Sequence, residues 1–311
     1  MVIFNGIDKF DLKGEITAIL GNFDGLHLGH LELIKSGFCL GGKVVIITFE
    51  PHPLSMKHAS FKRLQTFKEK LAYFENLGVD GLVIIDFNKE FARMSKDAFI
   101  EDILVKKLNA SNIVVGYNYH FGKGASGNSS DLVESSKRFG FNPVIIPAYK
   151  IGHKVVSSSH IRNFITEGRI KEANEFLGRL YYLEGKVVKG HGVGRKIGFP
   201  TANLFVDIDK LLPKPGVYSI IADVRGSEYV GFCNVGFQPT FDDREKQLVV
   251  EVNLFEFDAD IYDEIIGVYF IDYLRNVQKF SSVDALIEEL KIDKIKAIVS
   301  VAKNIVVKYW Y

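Results

Sequence analysis

The sequence predicts two units of different class: an α/β unit whose parallel sheet is covered on both faces, then a small antiparallel barrel or sandwich closed by a helix. Three observations predict it. From Ile16 to about Ile146, short β-branched runs alternate with amphipathic stretches. After residues 173–177 the runs follow one another with only Gly, Pro and Asp between them. The chain then closes on a long stretch with apolar residues at helical spacing. Parallel strands need crossover helices and antiparallel strands need only turns, so the change of cadence is a change of architecture. The 311 residues suffice for two cores, since domains most often run ~100–200 residues.

In the first unit, Ile16–Leu20 and residues 44–49, 81–85, 113–115 and 143–146 read as strands. Between them, residues 68–77 and 96–108 place apolar side chains three and four apart, the period of a helix face. Ligands of such sheets bind outside the carboxyl ends of the strands, so the residues that follow each strand are the first candidates. The boundary is expected at 178–184. Beyond it, residues 186–188, Gly216–Val224, 229–235, 247–255 and 265–273 read as strands. Residues 283–301 form the closing helix, with positions 283, 286, 287, 290, 295, 298 and 299 on one apolar face.

Composition narrows the function. Hydrophobic residues at 47% and charged residues at 25% are ordinary for a globular protein and argue against disorder, collagen-like repeats or a coiled-coil rod. No run approaches the ~18 apolar residues of a membrane helix, and the N-terminus shows no basic region ahead of an apolar run, so no export signal is expected. Cys39 and Cys233 have no paired spacing, which argues against a disulfide framework or a four-cysteine zinc site and fits a reducing cytoplasm. Net charge is +1, positive before about residue 180 and negative after it. Neither half has the basic excess of a protein that grips long nucleic acid; small anionic ligands remain open.

The first strand runs into Gly21-Asn22-Phe23-Asp24-Gly25-Leu26-His27-Leu28-Gly29-His30, where a helix is expected to begin. Glycines 21 and 25 let a ligand approach the backbone, and a helix start offers N–H groups to an anion. His27 and His30 would share the first helical turn and can donate hydrogen bonds to phosphate oxygens. Two histidines and a glycine alone fit a plain capped helix equally well. The whole pattern is more specific: it resembles the His-x-Gly-His signature of the nucleotidyltransferase superfamily and, at full length, the prokaryotic FAD synthetases. Thr48-Phe49-Glu50-Pro51-His52-Pro53, Val115-Gly116-Tyr117-Asn118-Tyr119-His120-Phe121-Gly122 and Ser157-Ser158-Ser159-His160-Ile161-Arg162 agree with that family in order and spacing. The last is similar to its Ser-Ser-Thr-x-Ile-Arg segment, which implies that Ser158, Ser159 and Arg162 lie over the ATP phosphates. Asn118 offers a donor and an acceptor to a nucleotide or flavin phosphate. His52, between two prolines, shapes a rigid loop that could lie against bound ligand. His58, His120 and His153 have no partner pattern and read as surface or structural.

The second half carries Gly190-His191-Gly192-Val193-Gly194-Arg195-Lys196-Ile197-Gly198-Phe199-Pro200-Thr201-Ala202-Asn203. Such a loop can wrap phosphates with backbone N–H groups, but the Gly-Lys-Ser/Thr of a Walker loop is missing. Thr201 and Asn203 could offer oxygens to Mg²⁺, a hard cation that takes few protein ligands beside phosphate. Glycines alone would equally make a hairpin with solvated Arg195 and Lys196. The segment resembles the riboflavin kinase signature, and Gly216-Val217-Tyr218, Asn234-Val235-Gly236-Phe237-Gln238-Pro239-Thr240-Phe241 and Val250-Glu251-Val252-Asn253 follow it in the family's order. By that resemblance Glu251 is the general base, Gly192, Gly194, Arg195, Gly198 and Pro200 belong to the phosphate loop, and Arg275 meets flavin or nucleotide, with a surface salt bridge as the plainer reading. Asn253 stands where many members have His.

The resemblance to the bifunctional riboflavin kinase/FAD synthetase covers nearly the whole chain. It implies an α/β nucleotidyltransferase domain of Rossmann-like, His-x-Gly-His type over residues 1–180, and a small antiparallel β-barrel riboflavin kinase domain with a C-terminal helix over 181–311. The expected activity is ATP-dependent phosphorylation of riboflavin to FMN, then adenylylation of FMN by a second ATP to FAD and pyrophosphate. Catalysis would rest on Glu251, His27 and His30, with Mg²⁺ at Thr201 and Asn203. Gly21, Asn22, Phe23, Asp24, Gly25, Asn118, Ser158, Ser159 and Arg162 would hold ATP, and Arg275 and His52 would face flavin. The expected partners are small molecules, without nucleic acid or membrane, for a cytoplasmic monomer or transient homo-oligomer. An enzyme with one silent half, or a flavin carrier on an enzyme scaffold, is the alternative.

Overall fold

The computed structural model describes residues 1–190, 192–238 and 247–304. It divides into two compact units, Met1–Lys62 with Phe67–Val156, and Arg63–Thr66 with Ser157 onward. The first is built on a sheet of six parallel strands: β1 (Val2–Asn5), β2 (Ile16–Leu20), β3 (Lys43–Glu50), β4 (Gly81–Asp86), β5 (Ala110–Gly116) and β6 (Asn142–Ile146). Their order is β1-β4-β3-β2-β5-β6. Every residue of β2 is buried, because successive side chains point to opposite faces and both faces are covered. Ala18 and Leu20 join one core cluster while Ile19 joins the other.

On the Ile19 side, α1 (Leu28–Cys39) contributes Leu33 and Ile34 and α2 (Phe67–Asn76) contributes Phe74. The other face takes Phe99, Ile100, Ile103 and Leu104, from the π-helical stretch Phe99–Lys107 that continues α3 (Lys96–Ala98), and Leu132 from α4 (Ser129–Phe139). The five expected strands are all present. β1 is an addition, an edge strand in parallel register with β4. It has one buried residue, Phe4, and so too little pattern to be read from sequence. Strand order reverses at β2, whose neighbours β3 and β5 lie on opposite sides, so the carboxyl ends of β2 and β5 bound the sheet's ligand crevice. A short hairpin, β7 (Lys150–Ile151) and β8 (Lys154–Val155), ends the unit.

The second unit begins with α5 (Ser158–Glu167) and α6 (Ile170–Leu177). Asn174 of α6 is buried; its Nδ2 donates to Phe270 O at 2.9 Å, and its Oδ1 accepts from Tyr181 N at 2.6 Å. A closed barrel follows, of β9 (Tyr181–Val188), β10 (Ala202–Val206), β11 (Gly216–Val224), β12 (Ser227–Gln238), β13 (Gln247–Leu254) and β14 (Ile265–Arg275), in the order β10-β13-β12-β11-β14-β9. All its pairs are antiparallel, and closure leaves no edge strand to be covered. β10 was not expected as a strand, since its short run follows Pro200 directly in what reads as a loop. Residues 192–201, expected as a glycine loop, carry one short helix, α7 (Val193–Lys196). Pro239, Thr240 and Phe241 of the expected motif lie outside the described residues.

The closing helix α8 (Val283–Asn304) corrects one expectation. Positions 283, 295, 298 and 299 are exposed, and the buried positions are Asp293, Ala297, Ser300 and Val301. Two of these are polar because the barrel meets them with polar partners: Ser219 Oγ bonds Ser300 Oγ at 2.9 Å, and the Arg275 guanidinium grips Asp293. Leu286 and Leu290 of the expected face do reach the barrel, so the hydrophobic criterion finds part of the inner face and misses the part whose contacts are made by hydrogen bonds and charge.

Candidate active sites

The loop after β2 holds three residues in the left-handed region, Phe23 (φ 51), Gly25 (φ 86) and Leu26 (φ 38). Non-glycine residues there are uncommon and gather at functional loops. Phe23 is fully buried, edge-on to His30 (5.2 Å) and Phe74 (5.5 Å), so its ring anchors the loop and its backbone alone is left to face a ligand. Asp24 and Gly25 are buried, and Asn22 is exposed. The main chain at Gly21 is tied to β3 by Gly21 N to Ile47 O at 3.1 Å.

His27 caps α1 rather than lying inside it: its Nδ1 accepts from His30 N at 3.3 Å. With Nδ1 accepting, Nε2 is the ring's donor. His30 sits in the first turn, stacked on His27 with centroids 3.7 Å apart and planes 12° apart. The two imidazoles thus act from one place at the amino end of α1. Asn118 is exposed in the turn after β5, at the neighbouring strand end. His52 is buried and stacked on Phe61 at 4.6 Å, and its Nδ1 accepts from Leu54 N at 3.1 Å, so the ring braces its own loop.

Lys70 was not singled out from sequence, where it reads as one charge on an amphipathic helix. It is buried, and its Nζ donates to Asn22 O and Thr48 Oγ1, each at 3.3 Å. Thr48 Oγ1 also donates to Asn22 O, so the floor of the loop carries a fixed positive charge.

Ser158, Ser159 and Arg162 belong to the second compact unit. Ser157 caps α5, its side chain accepting from His160 N at 3.3 Å. Ser158 and Ser159 form the helix start, and Arg162 Nη1 approaches Ser158 O at 3.4 Å.

In the barrel, strand register brings the candidate residues into one row. Asn203 pairs with Glu251, Glu251 with Asn234, Asn234 with Val217, and Val217 with Arg275. Directly opposed residues project to the same face, and all five line one cavity of ≈ 280 Å³. Gly192, Gly194, Thr201, Phe280, Leu286, Leu290 and Asp293 also belong to its wall. A second cavity of ≈ 190 Å³ is lined by Arg195, Pro200, Asp258, Asp260 and Tyr262 with apolar Val187, Val252 and Leu254. Thr201 lines both.

The glycines are explained by close approach. A Cβ at residue 190 would lie 2.0 Å from Asn203 Nδ2, and one at 194 would lie 2.2 Å from Phe199 O. Gly198, Pro200 and Arg195 are exposed along the same loop. Asn253 Nδ2 donates to Pro200 O at 2.7 Å and so pins the start of the Pro-Thr-Ala-Asn segment.

Arg275 lines the larger cavity, but Nε and Nη2 bind Asp293 (2.7–3.1 Å) and Nη1 reaches Asn276 O at 3.1 Å. Glu289 Oε1 lies 3.4 Å from Nε, and Asp293 is wholly buried. This is a buried strut between β14 and α8. Sequence could not single out Asp293, because an aspartate in an amphipathic helix reads as solvated. Burial, and next the charge of Glu251, push the Cys233 thiol well above its usual range, so it is no nucleophile at neutral pH. Among the described residues no cluster of His, Cys, Asp and Glu is suited to hold a metal ion.

Residues 10–160 match the family model for FAD synthetase, and residues 177–301 that for riboflavin kinase. A bifunctional riboflavin kinase/FMN adenylyltransferase of Listeria monocytogenes is 36% identical over 88% of this chain and 89% of its own. Its counterpart in Buchnera aphidicola subsp. Schizaphis graminum is 35% identical over 94% and 96%, and that of Escherichia coli K12 is 33% identical over 96% and 97%. A crystal structure described as a macrolide-efflux protein from Streptococcus pneumoniae matches with a TM-score of 0.88 at 31% identity, over 96% of this chain and 98% of that one. That likeness is one of fold; no helix among the described residues here is long and apolar enough to cross a membrane. With both family models in sequence order, and relatives aligned from end to end, the chain belongs to the bifunctional riboflavin kinase/FMN adenylyltransferase family.

Proposed function

We propose that the two units divide FAD synthesis between them, with Glu251 as the base of the first step and His27 and His30 as the phosphate donors of the second. The enzyme phosphorylates riboflavin to FMN with ATP, then joins FMN to AMP from a second ATP, releasing pyrophosphate. The observation that carries the assignment of residues is the barrel row: Glu251 shares a cavity with Asn203 and Thr201, and Thr201 also lines the neighbouring cavity. Riboflavin in the larger space and ATP in the smaller would meet at Thr201. The riboflavin 5′-oxygen then bonds to the γ-phosphorus as the bond to the bridging oxygen breaks and ADP leaves, while Glu251 accepts the hydroxyl proton.

Mg²⁺ fits this place on its donor chemistry: Thr201 Oγ1 and Asn203 Oδ1 are hard oxygens, few enough to leave room for phosphate oxygens, and Gly190 and Gly194 keep space around them. Thr201 and Asn203 would hold it, and it would supply charge neutralisation of the phosphates. Arg195 and the backbone of Gly192, Gly194, Gly198 and Pro200 would cradle the nucleotide.

In the second step an FMN phosphate oxygen attacks the α-phosphorus of ATP and pyrophosphate leaves in line. Positioning and neutralisation suffice, without a covalent intermediate. The His27 Nε2–H and the His30 ring would stabilise charge on the phosphates at the amino end of α1, with Asn22, Asp24, Gly25 and Asn118 around them. Ser158, Ser159 and Arg162 are proposed as phosphate contacts on the family resemblance alone. The reading predicts no nucleic-acid or membrane partner, and a monomer or transient homo-oligomer in the cytoplasm with Cys39 and Cys233 reduced.

Product chromatography tests the division. Glu251→Gln should abolish riboflavin phosphorylation and leave conversion of supplied FMN intact, and His27→Ala should do the reverse, with FMN accumulating. In folded protein, loss of FAD formation from supplied FMN in Glu251→Gln, or loss of FMN formation from riboflavin in His27→Ala, refutes it.

A further inference from the structure

We infer that Asn234 is a positioning residue for the kinase step: its side-chain amide fixes the carboxylate of Glu251 in the orientation that receives the riboflavin hydroxyl. The inference rests on the reading of Glu251 as base. Asn234 Nδ2 donates to Glu251 Oε2 at 3.2 Å. The two residues are register partners on β12 and β13, and both line the ≈ 280 Å³ cavity. A glutamate has three side-chain torsions, and among the described residues the Asn234 amide is the group that hydrogen-bonds this carboxylate. The amide engages one oxygen and leaves Oε1 as the acceptor for a proton.

Glu251 has a second amide beside it in the row, that of Asn203 on β10. Its Nδ2 lies 2.0 Å from where a Cβ of residue 190 would sit, so the Asn203 side chain occupies the space left by that glycine. The two asparagines therefore differ in place: Asn203 lies against Gly190 at the phosphate loop, and Asn234 holds the base. A neutral amide suits that task. A lysine or arginine there would bind the carboxylate as an ion pair and compete with the substrate hydroxyl for it, and an aspartate would repel it. Asn234 is also paired to Val217 of β11, so β12 is held from both sides at this residue.

The experiment measures the single-turnover rate of FMN formation, the riboflavin dissociation constant by flavin fluorescence, and the thermal midpoint, for the native enzyme, Asn234→Asp, Asn234→Ser and Glu251→Gln. Asn234→Asp keeps the shape, loses the donors and sets a like charge against the Glu251 carboxylate. It is expected to lower the single-turnover rate roughly ten- to hundredfold, the range for losing a hydrogen bond to a charged group, with riboflavin affinity within about threefold of native. Asn234→Ser, which keeps a shorter donor, should fall between the two and reads the same split should the aspartate variant melt early. Native rates in both Asn234 variants alongside an inactive Glu251→Gln overturn the inference and leave the base in place. Weakened riboflavin binding with an unchanged rate also overturns it, making Asn234 a flavin contact. Native turnover in Glu251→Gln removes the base itself, and with it the reading on which the inference stands.

Discussion

Asp293→Asn should loosen α8 from the rim of the larger barrel cavity. The side chain of Asp293 is wholly buried and that of Arg275 is 14% exposed, so the carboxylate has no water as a substitute partner. Asparagine keeps the shape, but it removes the negative charge and turns one of two acceptors into a donor aimed at the guanidinium. Breaking one partner of a buried pair costs ~3–5 kcal/mol, and because one acceptor survives, the lower figure applies here. On a total stability of ~5–15 kcal/mol, a loss of ~3 kcal/mol is a large fraction. It corresponds to a fall of about 10 °C in the midpoint of a domain this size.

The functional consequence follows from geometry, since Leu286, Leu290 and Asp293 of α8 all line the cavity. Riboflavin affinity should therefore fall together with the midpoint of the barrel unit, while conversion of supplied FMN to FAD keeps its rate. Calorimetry and flavin titration on the same preparation check it. The double variant Arg275→Met with Asp293→Leu should recover most of the lost stability, because exchanging both charges for apolar groups removes the desolvation cost along with the attraction. An unchanged midpoint in Asp293→Asn, or a double variant less stable than the single one, would refute the reasoning.

Lys70→Met keeps the aliphatic stem and removes the charge beneath Asn22 and Thr48. FAD formation from FMN should slow about tenfold, the scale of a charged hydrogen bond, with riboflavin phosphorylation unchanged; steady-state rates of the two half-reactions separate the cases. Gly194→Ala places a Cβ 2.2 Å from Phe199 O, a backbone atom that cannot turn away. The KM for ATP in the kinase step should rise about tenfold or more, since the phosphate loop must shift as a whole. Asp131 of α4 is held below its ordinary carboxylate range by its hydrogen bond to Lys96 and then by the Asn128 N–H. Its stabilising effect is complete above the unfolded value of ~4 and disappears as pH falls through the lower folded value. The stability gap between native protein and Asp131→Asn should accordingly be flat near neutrality and close below about pH 4, as acid titration of unfolding can show.

Much of this architecture is legible in the chain because its signals are local. The five predicted strands of the first unit are continuous apolar runs, as a sheet buried on both faces requires, and the loop from Gly21 to His30 carries its pattern in ten consecutive residues. Where a local signal is weak, the reading stops short. β1 has a single core residue, and β10 follows a proline in a glycine-rich stretch. On α8, hydrophobicity picks out Leu286 and Leu290 of the inner face but also the exposed 283, 295, 298 and 299, and it misses the buried Asp293 and Ser300.

The sequence by itself determined the class of each unit and most of the residues that carry the chemistry, because strand and helix periods and short motifs are properties of neighbouring positions. Only the tertiary structure decided which of those residues act together. Asn203, Glu251, Asn234 and Arg275 come from four strands, and closure of the barrel sets their register. A slip of one residue at any of those pairings would turn one of them to the other face, and nothing local to it records that choice. Lys70 and Asp293 make the same point through burial. Each is an unremarked charge on an amphipathic helix until packing removes the water around it and leaves a partner in its place.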